Sequence, residues 1–251
     1  MIIAQISDTH IVAKSADDAE GAQRAATLRR CVEDINRQGV DAVIHTGDSV
    51  QNGLAVEYAH LSEIVAELEA PFFLVPGNRD RHDVLRDAFG HHSHLPATGD
   101  HLHYAIEDHP IRLVALDSVE TGERKGVFPA ERLAWLDETL SREPDRPTIL
   151  FMHHPPFDIV PHYVGGYRSA READDLAATV SRHPQVLRLI CGHVHRLHGV
   201  RWGGTVATTM PSVAVDLRKG VDAAIEGAPL YLLHVASDDG SLVSRARVVG
   251  R

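Results

Sequence analysis

At 251 residues, with 43% hydrophobic and 24% charged residues, the chain has the composition of a soluble globular protein and reads as a single domain over 1–251. A formal net charge of -10 argues against a general nucleic-acid binder, which needs a basic face toward phosphates. Two cysteines, Cys31 and Cys191, are too few for a disulfide framework or a thiolate zinc site, and both read as small core residues.

The N-terminal stretch "MIIAQISDTH" has neither a basic leader nor a long apolar segment, so a cytoplasmic protein is expected. Its first seven residues read as a strand. Leu28, Cys31, Val32 and Ile35 then fall at helical spacing before Gly39, a stop signal. "DAVIHTGD" is a second strand, and Tyr58, Leu61, Ile64, Val65 and Leu68 restore the helical period before the strand "PFFLVPGN". A short helix over His82 to Phe89 precedes a polar loop rich in histidine, residues 90 to 104.

"HYAIEDHPIRLVALDS" predicts two strands joined at Asp108 to Pro110, and "PAERLAWLDETL" a helix with Pro129 in its first turn. "TILFMHH" is a strand, "READDLAATVSRH" a helix and "VLRLICGHVH" another strand. The tail, "VATTMPSVAV" and "PLYLLHVASDDGSLVSRARVV", reads as mostly antiparallel strands with "SDDG" as a hairpin turn. Alternating strands and helices give an α/β class with parallel pairing and an antiparallel portion. The longest apolar runs are strand-sized, too short to span a bilayer.

Five apolar runs end on residues able to bind a metal: Asp8 and His10, Asp48, Asn78, His153 and His154, His193 and His195. In open α/β sheets functional side chains gather at the carboxyl ends of strands, so these residues are expected in one cluster. The Asp-x-His and His-x-His pairs are spaced i and i+2, which on an extended chain points both side chains to one side. Gly47, Gly77 and Gly192 each precede a candidate ligand, where a missing Cβ permits a sharp turn or close approach. Singly, Asp48 could be a helix cap and Asn78 a turn residue. The ordered set is harder to obtain by chance.

The series "DTH", "GD", "GN", "HH" and "GHVH", spread over residues 8 to 195, resembles the calcineurin-like metallophosphoesterases. "HHPPF" and "TMPSVAVDL" are most similar to the bacterial class III cyclic nucleotide phosphodiesterases and glycerophosphodiesterases. The resemblance implies a sandwich of two mixed β-sheets flanked by α-helices. It places Asp8, His10 and His195 on one metal, Asn78, His153 and His193 on a second, and Asp48 between them. Two ions per chain are implied; an oxygen and nitrogen ligand set suits Mn, Fe or Zn without choosing among them. His154 matches no ligand position and reads as a supporting or loop residue.

The implied activity is hydrolysis of a small phosphodiester, a cyclic nucleotide or glycerophosphodiester, by in-line attack of a metal-bridging hydroxide. A phosphomonoesterase and a metal-binding scaffold without activity are the other readings. Neither a nucleic-acid polymer nor a membrane is an expected partner, and a homodimer is reasonable by resemblance. Asp48, Asn78 and Arg79 carry the expected catalytic roles. Arg79 departs from the family, which has histidine after Gly-Asn; a guanidinium stays protonated and pairs with phosphate oxygens but is a poor proton donor. His82 is a second candidate acid, and an ordinary helix-start histidine otherwise. Tyr163, Tyr167 and Arg168 form a candidate substrate-contact loop, and His45 reads as a core or supporting residue.

Overall fold

Thr148–Met152 is buried at every position, because this strand lies in the middle of a sheet covered on both faces. Ile149 and Phe151 face one core, while Leu150 and Met152 face a second. Neighbouring strands divide their side chains in the same way. The computed structural model describes residues 1–15, 17–90, 94–237 and 241–250.

Eleven strands and five helices follow in order among the described residues: β1 (Ile2–Ile6), α1 (Ala19–Gln38), β2 (Ala42–His45), α2 (Ala55–Val65), β3 (Phe72–Leu74) and α3 (His82–Phe89). Next come β4 (Tyr104–Ile106), β5 (Arg112–Leu116), α4 (Ala130–Ser141), β6 (Thr148–Met152), α5 (Ala170–Ser181) and β7 (Val186–Cys191). The chain ends with β8 (His198–Trp202), β9 (Thr205–Thr209), β10 (Leu230–Ala236) and β11 (Leu242–Val248). One sheet has the order β11-β10-β1-β2-β3 and the other β4-β5-β6-β7-β9-β8. Both are mixed: β1 to β3 and β5, β6, β7 and β9 run parallel, with antiparallel strands outside them. This is the two-sheet sandwich with flanking helices that the resemblance implies.

One core fills the space between the sheets and extends under α1 and α2; the other lies between the second sheet, α4 and α5. The predicted apolar stripe of α1, Leu28, Cys31, Val32 and Ile35, is buried in the first. Asp18 caps that helix by accepting from the Gly21 amide (2.9 Å), and Gly39 ends it at φ 59°. No helix among the described residues is long and apolar enough to cross a membrane.

Three expectations change. Pro129 is the N-cap of α4 and precedes its first turn. The strand His198–Trp202 has no signal in the sequence reading, because its alternation of half-buried and exposed residues is that of a sheet edge carrying little apolar content. Of "VATTMPSVAV" only residues 206–209 lie in a strand, β9, and the rest does not continue it; β9 pairs antiparallel with β8 and parallel with β7, so the tail is mostly antiparallel as expected. β10 and β11 do pair antiparallel. Residues 238–240 of their predicted turn, and 91–93 of the histidine-rich loop, lie outside the described residues.

Candidate metal centre

Asp8, His10, Asp48, His193 and His195 sit on left-handed backbone, with φ between 45° and 71°. Among the described residues no other non-glycine has positive φ. A residue with a Cβ holds that conformation only where its surroundings enforce it. Extended alternation therefore does not bring each i and i+2 pair together, since β1 and β7 end before the pairs begin. The loops curl instead, and backbone hydrogen bonds hold them: Asp8 N–H donates to Gly47 O (3.0 Å), His10 N–H to Asp48 O (3.1 Å) and Gly192 N–H to His153 O (3.1 Å).

Two glycines make this closeness possible. A Cβ on Gly77 would lie 2.2 Å from the Asp48 nitrogen and 2.4 Å from its Oδ1. One on Gly192 would lie 2.2 Å from Ser7 Oγ and 2.9 Å from Asp8 Oδ2. What these glycines admit is a ligand side chain against backbone.

Three imidazoles are each anchored by the nitrogen facing away from the centre. His153 Nδ1 donates to Thr46 O (2.8 Å), His195 Nδ1 to Leu217 O (2.9 Å) and His10 Nδ1 to Gln51 Oε1 (2.8 Å). A neutral ring so anchored presents its Nε2 lone pair inward. His195 Nε2 meets Asp8 Oδ1 at 3.2 Å, and His10 Nε2 meets Asp48 Oδ2 at 3.6 Å with no hydrogen-bond partner. His153 Nε2 lies 3.2 Å from Asn78 Oδ1, 3.5 Å from Asp48 Oδ1 and 3.1 Å from His193 Nδ1. Metal-holding groups of donor atoms follow: Asp8, His10 and His195; Asp8, Asp48 and His153; His153, His154 and His193.

Acceptors facing acceptors in a buried space require positive charge. Protons supply it poorly here, because burial foremost pushes His10 down to about 4 and His193 to about 3. Burial also raises Asp48 to about 7, helped by Asp8 and Asp80 and opposed by His153. Asp8 ends well below the usual carboxylate range: burial pushes it up, but His195, His153 and His10 outweigh that. His195 is raised because the Asp8 charge outweighs burial. Metal ions fit this donor set, and the oxygen and nitrogen donors without thiolate suit hard to borderline cations.

Residues 1–197 match the calcineurin-like phosphoesterase family. The chain belongs to that family. The phosphoesterase is 34% identical to a probable glycerophosphodiester phosphodiesterase of Arcobacter nitrofigilis, over all of this chain and 94% of the relative. It is 28% identical to a 3',5'-cyclic adenosine monophosphate phosphodiesterase of Escherichia coli, over 86% of this chain and 77% of the relative. The fold is shared with a dimetal phosphatase from Danio rerio, at a TM-score of 0.72 and 16% identity, over 98% of this chain and 96% of that one.

The substrate-loop expectations divide. The Tyr163 ring lies 5.4 Å from that of His193, and its hydroxyl donates to Pro155 O (3.3 Å). Tyr167 is instead a buried core residue, its hydroxyl donating to His154 O (3.2 Å), so it offers no face to a substrate. Arg168 is committed on the surface to Glu120 (3.2 Å) and Glu172 (3.1 Å). His154 is fully buried beside the centre, with its ring 4.6 Å from that of His193 and its Nδ1 2.9 Å from Ser118 Oγ. His45 is buried under the centre, where its Nε2 lies 2.9 Å from Thr9 Oγ1.

Sequence reading missed two organisers of the phosphoesterase. Asp80 is buried and accepts from Ser49 Oγ (2.6 Å), the Gly77 amide (2.8 Å) and the Tyr58 hydroxyl (3.0 Å), tying together the loops that carry Asp48 and Asn78. Its signal is in "GNRD" itself. Gln51 has no such signal, yet it fixes the His10 ring. Gln51→Ala is expected to weaken metal affinity about 10- to 100-fold, measured by competition with a chelating dye.

His82 is tied to a buried carboxylate, with Nε2 2.7 Å from Asp117 Oδ2. Asp117 also accepts from the amides of Leu102 (3.0 Å) and Val119 (2.9 Å). Burial would raise Asp117, but the His82 hydrogen bond and charge outweigh it and hold the carboxyl at about 2, below its ordinary 3.8. His82 is raised above 6.5, the same hydrogen bond outweighing burial. The Asp117 contribution is thus full above pH 3.8 and lost as pH falls through about 2. That of His82 is full below pH 6.5 and lost as pH rises through its folded value. Asp117→Asn is expected to cost about 3 kcal/mol, most between these limits and less on either side. Urea unfolding of both proteins across pH checks this.

Proposed function

We propose that the protein hydrolyses a small phosphodiester of the cyclic nucleotide or glycerophosphodiester class, with Asp8, His10 and His195 holding one metal ion, Asn78, His153 and His193 a second, and Asp48 lying between them. The observation that carries the reading is the set of three outward-anchored imidazoles whose inner nitrogens converge on two buried carboxylates. Mn, Fe or Zn fits these donors. Two such ions would supply Lewis-acid neutralisation of the phosphoryl oxygens and acidify water enough to act as nucleophile near neutral pH. The net reaction breaks one ester P–O bond and adds the water oxygen to phosphorus, leaving an alcohol hydroxyl and a phosphomonoester, on two separate products for a glycerophosphodiester and on one ring-opened product for a cyclic nucleotide.

The chain's own residues prepare that site. Thr46, Leu217 and Gln51 hold the imidazole tautomers, so no ring has to turn on binding. Arg79 acts twice. Its amide donates to Asp48 Oδ1 (2.7 Å) and aims that carboxylate, while its exposed guanidinium, without a side-chain partner among the described residues, is free to pair with phosphate oxygens. Locally this cation offsets the negative charge of the chain, which would repel an anionic substrate.

Because a guanidinium does not readily give up a proton, diesters with good leaving groups are favoured. Arg79→His is expected to raise the ratio of alkyl to aryl diester rates by at least about tenfold. An unchanged ratio would remove Arg79 from leaving-group chemistry. The reading as a whole is tested with metal-stripped protein reloaded with Mn, comparing bis(p-nitrophenyl) phosphate with p-nitrophenyl phosphate. Faster diester hydrolysis is expected; faster monoester hydrolysis would favour the phosphomonoesterase, and failure to retain two ions per chain would overturn the metal assignment.

A further inference from the structure

Away from the metal centre the two sheets part at their β8–β9 and β10–β11 ends, leaving a crevice of about 450 Å³. Arg188, Thr208, Leu232, Ser244 and the start of β8 at Leu197 and His198 line it. Arg188 belongs to β7, in the second sheet, and reaches across to β11 in the first. It donates to Ser244 Oγ (2.9 Å) and to Leu242 O (3.2 Å).

Those bonds use two of the five N–H donors of a guanidinium. Arg188 Nε is buried without a hydrogen-bond partner. Among the described residues no carboxylate forms an ion pair with Arg188, whereas Arg24, Arg29, Arg112, Arg146 and Arg182 each have one. Thr208, only 8% exposed, has an equally buried and unpartnered Oγ1. A half-buried cation without a counter-charge is costly, and so is each unmatched polar atom beside it. The Arg188 charge is felt inward as well: burial first, and that charge second, push His234 down to about 3.

We propose that this crevice is a second oxyanion site, distinct from the metal centre, that takes a phosphate group between Arg188 and the Thr208 hydroxyl. A phosphate oxygen relieves the unpaired guanidinium and accepts from the hydroxyl, and both partners come from adjacent strands of one sheet. Nothing in this assignment depends on the metals or on the reaction at the metal centre.

The test follows the Arg188 Nε–H signal by ¹H–¹⁵N NMR in metal-loaded protein, with Arg188→Gln identifying the peak. Inorganic phosphate and glycerol 3-phosphate are titrated in parallel, and a saturable shift of that peak is expected in the millimolar range or tighter. Stronger binding of the ester would identify an organic phosphate as the ligand, and equal binding the free ion. By calorimetry Arg188→Gln is expected to weaken this equilibrium about tenfold or more. Thr208→Val, which keeps the side-chain shape, is expected to weaken it several-fold and retain diester hydrolysis. A peak that stays fixed up to about 10 mM of either ligand, or affinity unchanged in both variants, would overturn the site.

Discussion

Asp48→Asn is expected to lower diester hydrolysis about a thousandfold, the loss that several kcal/mol of transition-state stabilisation implies. Asp48 faces both halves of the centre, with Oδ2 3.6 Å from His10 Nε2 and Oδ1 3.5 Å from His153 Nε2. An amide of the same shape would keep the packing but remove the negative charge that the proposed pair of ions shares, so the folded protein should retain fewer than two ions. Metal analysis and bis(p-nitrophenyl) phosphate rates on the same sample check both parts. A variant that keeps two ions and wild-type rates would mean that the ions do not share this carboxylate.

Gly77→Ala is expected to be nearly as damaging, although glycine has no side chain to contribute. Its new methyl would stand 2.2 Å from the Asp48 nitrogen and 2.9 Å from His153 Cε1, contacts that must be relieved by moving backbone or a ligand ring. Neither can move cheaply. Asp48 is held by the Arg79 amide and on strained left-handed backbone, and His153 is fully buried. A stability loss of about 2–3 kcal/mol is expected, with metal affinity falling further than stability. Thermal unfolding with and without Mn separates the two effects: a Tm gain on adding metal that matches wild type would show that the ligands had not been displaced.

Much of this centre is legible in the sequence because each donor follows an apolar run and the runs are recognisable as strands. Asp8, His10, Asp48, Asn78, His153, His193 and His195 are all found where strand ends converge. The backbone that carries them is not legible. Left-handed φ at five of these residues is imposed by loops docking onto one another, as when the Asp8 amide meets Gly47 O across 39 residues of chain. Spacing along an extended strand gives the right pairing for a reason the molecule does not use.

The substrate loop shows the opposite outcome. Tyr163, Tyr167 and Arg168 look alike in a Gly-containing loop, since all three are large and able to hydrogen-bond. Only burial and partners separate Tyr163, beside His193, from Tyr167 in the core and from Arg168 in surface ion pairs. His154 reads as either a supporting or a loop residue, and packing decides for the first by making it a fully buried neighbour of the centre.

The alternation of strands and helices, the apolar stripe of α1 and the order of donors at strand ends are all written along the chain. These are local patterns, set by side-chain period and chain chemistry over a few residues. Packing between distant segments sets which rings are anchored by Thr46, Gln51 and Leu217, makes Asp80 tie two ligand loops together, and carries Arg188 across between sheets without a counter-charge among the described residues. Apart from the Gly77 amide's bond to Asp80, such contacts join residues from 22 to 107 positions apart in the chain, and nothing in a local pattern encodes which distant carbonyl or carboxylate will be within hydrogen-bond reach.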